Sequence, residues 1–451
     1  MTNFTTALDS IRCNIPLQSE VGTILSAALE AANPFDAVTR NLQREGRLLR
    51  IGGRDYAMSR GGKVVMVAFG KAAPVMLRGA HARLGGMIQG GVCISKQPVA
   101  ADERIDSIQY LVGDHPVPGA GSLVAGMAIQ QTVSGLTDDD LVIVLLSGGG
   151  SALAALPVEG VSLADMQALT SALLRSGATI NEMNAVRKHL DRLKGGGLLR
   201  LAAPARVAAL ILSDVVGSPI DVIASGPACP DPSTFESALE VVTTAAKSGA
   251  IPISITDHLE NGVLGKIPET VKPADALAKL ASNSIVGSNL ESCRAAVNKA
   301  KAIGFYAELI TDHLTGEARE AGRYLAQLAR DRVDILRPYA LIFGGETTVT
   351  VTGSGTGGRN QEVALAAANG LAGLKRTVII TLATDGEDGP TDAAGAAVDG
   401  TTLARAEELG LDPETFLANN DAYTFFKKTG DLLVLGPTGT NVNDISFVFG
   451  F

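Results

Sequence analysis

The chain has 451 residues with a mean hydropathy of +0.22; 46% of residues are hydrophobic and 19% charged, and there is no tryptophan. Such a balance excludes intrinsic disorder and suffices for two or three domains at roughly 100–200 residues each. With 38 basic against 47 acidic residues the net charge is −9, which lacks the basic footprint of a nucleic-acid binder.

The N-terminus has no apolar stretch of signal-peptide type, and Glu20–Leu42 reads as helical, with Pro34 starting a second short helix. Five apolar runs follow: Lys63–Phe69, Ile88–Ser95, Ile108–Val112, Asp140–Leu146 and Arg206–Ser213. Each is continuous rather than alternating, as strands buried on both faces of a parallel sheet are. The segments between them are long enough for crossover helices. From Pro227 to about Leu280 the chain turns mostly helical, and a second block of strands then runs to the C-terminus. TTVTVT (Thr347–Thr352) alternates and is β-branched, which favours antiparallel pairing. The expectation is α/β: a Rossmann-like, doubly wound, mostly parallel domain over 1–245, a helical inter-domain region over 246–282, and a smaller α/β domain with a mixed sheet over 283–451. No run of 18 apolar residues occurs, so no membrane span is expected. Cys13, Cys93, Cys229 and Cys293 form no CxxC pair, and a reduced, cytoplasmic setting fits.

The strongest chemical signal is Ser147-Gly148-Gly149-Gly150-Ser151 after the fourth run. Three glycines permit a close backbone approach to a ligand, and amides entering a helix favour an anion; the bland alternative is a capped turn. Lys71 closes the first run at Gly70, where a cation opposes the helix dipole unless a ligand needs it. Arg187, Lys188, His189, Arg192 and Lys194 crowd one predicted helix, either as a cationic site or as a solvated face. Asp214 follows the fifth run, as a ligand or a turn former. Further on, Gly353, Gly355 and Gly358 match GxGxxG, which could be a dinucleotide fingerprint, yet the next strand-end acid, Asp385, comes later than that motif places it. Arg359 and Asn360 open the next helix, and Glu346 supplies a nearby carboxylate. Asp385, Glu387, Asp388 and Asp392 form an acidic turn that could position Mg²⁺. No Walker motif is present.

Taken in order, FGKAA (Phe69–Ala73), GDHPVPG (Gly113–Gly119), SGGGSAL (Ser147–Leu153), MNAVRKHLDRLKGGGL (Met183–Leu198), LSDVVGSPIDVIASGP (Leu212–Pro227), GGETTVTV with GSGTGGRNQE (Gly344–Glu362), ATDGEDGPTDAAGA (Ala383–Ala396) and NNDAYTFF (Asn419–Phe426) resemble the type 2 glycerate kinase family, whose C-terminal part is the MOFRL region. The resemblance spans about Ser19 to Phe449. It implies ATP-dependent phosphorylation of D-glycerate at the 2-hydroxyl, with the site in a cleft between two domains and Lys71 and Arg359 as catalytic residues. Ser147, Gly148, Gly149, Gly150, Ser151, Arg187, Lys194, Asp214, Glu346 and Asn360 are then candidates for substrate or phosphate binding. Asp214, Asp385 and Asp388 are candidates for Mg²⁺, and His189 or a carboxylate for orienting the hydroxyl. Phosphoryl transfer asks mainly for alignment and charge neutralisation, which such loops provide. The partner is a small molecule, neither nucleic acid nor membrane, and a homo-oligomer is compatible. The rival reading is an NAD(P)H-dependent hydroxypyruvate reductase, resting on GxGxxG; a non-catalytic anion binder is the third.

Overall fold

The computed structural model describes residues 4–332 and 336–451. They pack as two units: Pro34–Val286 is one, and Met1–Asn33 joins Gly287–Phe451 in the other. The helical stretch 246–282, read from the sequence as an inter-domain region, packs within the first of these, and the helix Gln18–Ala31 goes with the C-terminal part.

In Pro34–Val286, β1 (Leu42–Glu45), β2 (Leu48–Ile51) and β3 (Arg54–Ala57) form a small antiparallel sheet. The main sheet comprises β4 (Val64–Phe69), β5 (Ile88–Ser95), β6 (Ile108–Val112), β7 (Leu141–Leu146), β8 (Arg206–Leu212) and β9 (Ala281–Gly287), in the order β6-β5-β4-β7-β8-β9. The pairs β5/β6, β4/β5, β4/β7 and β7/β8 are parallel. Every residue of β4 and β7 is buried, which explains their unbroken apolar sequences. The chain winds outward from β4 through β5 to β6, then returns and winds the other way through β7 to β8. The strand order therefore reverses between β4 and β7, and the loops leaving these two strands border the crevice where open α/β sheets bind ligands. Val67, Val144 and Val207 pack in one core with Ile129, Leu198 and Leu199. A second core joins the helices Leu163–Ser176, Ile180–His189, Phe235–Ala245 and Ile253–Val263 through Leu169, Val186, Phe235 and Leu259. Capping boxes start the first two of these helices. Asp165 N bonds Ser162 Oγ at 3.1 Å and Ser162 N bonds Asp165 Oδ2 at 2.9 Å, and Thr179 and Glu182 repeat the pattern.

In the other unit, β10 (Tyr306–Leu314), β11 (Tyr339–Gly345), β12 (Thr377–Ala383), β13 (Gly395–Asp399), β14 (Leu432–Leu433) and β15 (Asp444–Gly450) form a mixed sheet ordered β10-β11-β15-β12-β13-β14. Only β10/β11 is parallel among its pairs. Alternate residues point to opposite faces: Ile342, Ile380 and Phe447 pack with Leu25 and Ala296, whereas Leu341, Ile379 and Val448 pack with Leu325 and Leu365. Thr347–Thr352 departs from the expected strand. It makes one isolated bridge, Glu317 to Thr348, because side chains engage its backbone: Thr350 N bonds Glu317 Oε1 at 3.1 Å and Thr352 N bonds Asn420 Oδ1 at 2.8 Å.

Candidate active site

At the strand-order reversal the loops after β4 and β7 are joined directly. Lys71 N bonds Gly148 O at 2.9 Å, and Ala72 N bonds Ser147 Oγ at 2.9 Å. Gly70 has φ +135, and a Cβ there would lie 2.2 Å from Ser147 Oγ, so only glycine allows this approach. A Cβ on Gly148 would lie 1.9 Å from Asp214 Oδ2, which sets the carboxylate following β8 against the same loop. The amides of Gly148 and Gly149 are bonded to no other described residue. Ser151 Oγ lies 2.9 Å from Ser225 Oγ, which donates to Asn184 Oδ1 at 2.9 Å. Ala224, Ser225 and Gly226 all have positive φ, at 50, 59 and 62. Two non-glycine residues in that region carry strain, a frequent feature of functional sites. Here the run is held by Gly195 N on Ser225 O at 3.0 Å and Gly196 N on Gly226 O at 2.8 Å.

These loops border a cavity of about 280 Å³ reached by Gly148–Ala152, His115, Asn184, Arg187 and Asp214. The cations of these loops and of the helix Ile180–His189 differ in circumstance. Arg187 is half-buried without a carboxylate partner among the described residues, and burial lowers its pKa. Lys71 is exposed and likewise has no ion-pair partner among the described residues. Lys194 also lines the cavity but is buried against Asp191, Nζ to Oδ2 2.5 Å, so that its charge is shared with a carboxylate. Lys188 is held by Asp221 and Asp231, each at 3.1 Å.

His189 does not reach this cavity. Its Nδ1 lies 2.7 Å from Ala185 O, its Nε2 3.3 Å from Glu269 Oε1, and its ring packs on Phe235 with centroids 4.6 Å apart; it lines a separate cavity. The histidine at the glycine loop is His115, whose ring would lie 3.1 Å from a Cβ on Gly149. Burial, then the charges of Lys71 and Lys96, lower its pKa and favour the neutral ring. His115, Asn184 and Ser225 were visible in the sequence within GDHPVPG, MNAVRKHLDRLKGGGL and LSDVVGSPIDVIASGP, but no role was attached to them.

In the other unit, Arg359 begins the helix Arg359–Leu371 after Gly358. Its Nε bonds Asp444 Oδ2 at 2.5 Å, its Nη2 Asp444 Oδ1 at 3.2 Å and its Nη1 Glu346 Oε1 at 2.7 Å. Asn360 Nδ2 adds a bond to Asp444 Oδ1 at 2.9 Å. Burial pushes Asp444 up, while Arg359 and Asn360 oppose that, and the carboxylates raise Arg359. The guanidinium is thus charged and fixed in orientation by two carboxylates.

Asp388 is engaged by the start of the same helix. Its Oδ1 accepts Asn360 N at 3.1 Å and Asn360 Nδ2 at 3.2 Å, and its Oδ2 accepts Gln361 N at 2.8 Å. It is buried and caps this helix. Asp385, half-exposed just after β12, accepts Glu387 N on its Oδ1 at 3.3 Å. Among the described residues no group of three His, Cys, Asp or Glu side chains is arranged to hold a metal ion. The GxGxxG glycines also serve packing. Gly353 N bonds Asn420 Oδ1 at 2.9 Å, Gly355 N bonds Asn419 O at 2.9 Å, and a Cβ on Gly353 would lie 2.3 Å from Asn419 O. These amides are consumed by Asn419–Asp421 rather than turned toward a pyrophosphate, which removes the basis of the dinucleotide reading.

The chain matches two family models, Domain of unknown function (DUF4147) over residues 20–260 and the MOFRL family over residues 339–444. It is 45% identical over 388 residues to the D-glycerate 2-kinase of Thermotoga maritima, covering 85% of this chain and 89% of that protein. It is 38% identical over 432 residues to the glycerate 2-kinase of Pyrococcus horikoshii, covering 94% and 96% respectively. A relative from Agrobacterium vitis, 39% identical over 429 residues, bears a provisional hydroxypyruvate reductase name. The crystal structure of a glycerate kinase from Thermotoga maritima matches with a TM-score of 0.84 at 41% identity, over 95% of this chain and 98% of that one.

Proposed function

The chain belongs to the DUF4147–MOFRL family of glycerate kinases, and from that membership we propose that it transfers the γ-phosphoryl group of ATP to the 2-hydroxyl of D-glycerate, releasing 2-phosphoglycerate and ADP. The observation that carries this reading is a pair of cations, Lys71 and Arg187, with no carboxylate partner among the described residues, beside the amides of Gly148 and Gly149, which bond to none of them either. Uncompensated positive charge next to free N–H donors suits a polyanion.

Lys71, Arg187 and the glycine amides neutralise phosphate or carboxylate oxygens, and Ser151, fixed through Ser225 and Asn184, adds a hydroxyl. Arg359, oriented by Asp444 and Glu346, supplies the second catalytic cation, with Asn360 supporting Asp444. Mg²⁺ fits the residues present: it commonly takes one or two carboxylates with substrate phosphates and water, and Asp214, set against Gly148, is such a carboxylate. Asp385 is the second candidate. When bound, the ion would offset phosphate charge. Among the described residues no helix is long and apolar enough to cross a membrane, and four free, buried cysteines fit a reducing, cytoplasmic setting.

The test is direct. Purified protein with D-glycerate and MgATP should yield ADP and 2-phosphoglycerate, while hydroxypyruvate with NADH should leave the NADH absorbance unchanged. NADH oxidation without ADP formation would overturn the proposal in favour of a reductase.

A further inference from the structure

We infer that the cavity beside the glycine loop is the nucleotide subsite, with the purine of ATP on its apolar wall and the phosphates toward Gly148–Ser151, so that glycerate is bound by other groups. This rests on the kinase reading above. The cavity measures about 280 Å³, close to the roughly 300 Å³ lower end of small-molecule pockets. Glycerate carries oxygen on each of its three carbons and would leave most of that space unfilled. The lining is also of the wrong kind for glycerate alone. Leu163, Met166 and Ile180, from two neighbouring helices, and Pro116 and Pro118 from the loop after β6 present hydrocarbon. Gln167 Nε2 bonds Pro118 O at 2.8 Å and ties that loop to the helix Leu163–Ser176. Apolar surface returns roughly 25 cal/mol per Å² only to a ligand that has apolar surface to bury. A purine has two such faces; a hydroxy acid has none.

The same cavity continues to the phosphate-type groups: Gly148, Gly149, Ser151 and Arg187, which has no carboxylate partner among the described residues, line it together with the apolar residues. One ligand therefore has to be apolar in one part and polyanionic in another, which describes a nucleoside triphosphate. Asn184 also lines the cavity. Its Oδ1 is taken by Ser225, and its Nδ2 is bonded to no described residue and is open to the cavity. It is therefore a donor for an acceptor on the base or ribose.

Three variants test the placement: Leu163→Ala and Ile180→Ser, which remove apolar wall at half-buried and exposed positions, and Thr170→Phe, which adds bulk from the same helix. The readouts are steady-state KM for ATP and for glycerate, and calorimetric binding of the non-hydrolysable analogue AMP-PNP and of inorganic tripolyphosphate, which has the charge without the base. The expected result is a rise in KM for ATP, and in Kd for AMP-PNP, of about tenfold for the truncations. KM for glycerate and Kd for tripolyphosphate stay unchanged. A rise in KM for glycerate alone, or equal weakening of AMP-PNP and tripolyphosphate, overturns the placement, as do variants that leave every constant unchanged. Wild-type protein that makes no ADP fails the kinase reading instead, a result distinguishable because it needs no variant.

Discussion

Lys71 and Arg359 carry the same charge in opposite circumstances. Lys71 is exposed with no carboxylate partner among the described residues, so Lys71→Ala should leave the thermal melting curve in place and lower kcat by about a hundredfold or more; a near-normal kcat removes Lys71 from the mechanism. Arg359 is clamped between Asp444, nearly buried, and Glu346. Its removal strands a buried carboxylate, so Arg359→Ala should cost about 2 kcal/mol in urea unfolding in addition to activity. Restoring charge as lysine would not rebuild the two-pronged contact. Lys71 also bears on His115, whose pKa is lowered by burial first and by Lys71 next. Deleting a neighbouring cation favours the imidazolium, so the His115 titration followed by NMR should move to higher pH in Lys71→Ala; no movement, or a downward one, contradicts the neighbour relation described here.

Among the elements, loops rather than strands separate expectation from structure. The central strands β4, β7 and β8 were legible because burial on both faces leaves a run such as LVIVLL no polar option, whereas β9, mostly half-buried, read as the first strand of the C-terminal block and lies in this sheet instead. By contrast β1 and β3, LQRE and RDYA, expose most of their residues and have no comparable signature. TTVTVT carried the alternation of a strand, but its hydrogen bonds go to Glu317 and Asn420, partners no local pattern announces. The glycine-rich GSGTGG was legible as a tight loop, though what it approaches is Asn419–Asp421. Asp444 is paired with Arg359 across 85 positions, a separation over which single-sequence spacing says nothing. Asn420 is the pivot of this loop: Oδ1 accepts Thr352 N and Gly353 N, and Nδ2 donates to Glu362 Oε2 at 3.2 Å. It also holds φ 52, which asparagine tolerates better than most residues. Asn420→Ala strands two amides and should lower stability by about 2 kcal/mol, measured by chemical denaturation; a change below a few tenths would show that water replaces the side chain at no cost.

At the scale of the whole molecule, one unit is built from both ends of the chain. Phe4, Leu8, Ile24 and Leu25 share a core with Ala296, Ile342, Phe447 and Phe449. A fragment of residues 287–451 alone should therefore expose that face and lack a cooperative thermal transition, and adding residues 4–33 should restore it; a sharp transition in the shorter fragment would show those helices to be dispensable. The unit Pro34–Val286 has its own cores and should unfold cooperatively when prepared alone.

That discontinuity reaches into how the polypeptide is born. The opening helices leave the ribosome first, yet the strands they cover, β11, β12 and β15, are translated last, after every residue of the intervening unit has emerged and had time to condense. Until then an oily helix such as Gln18–Ala31 has no native surface to rest on, and a late docking step is a built-in consequence of the wiring.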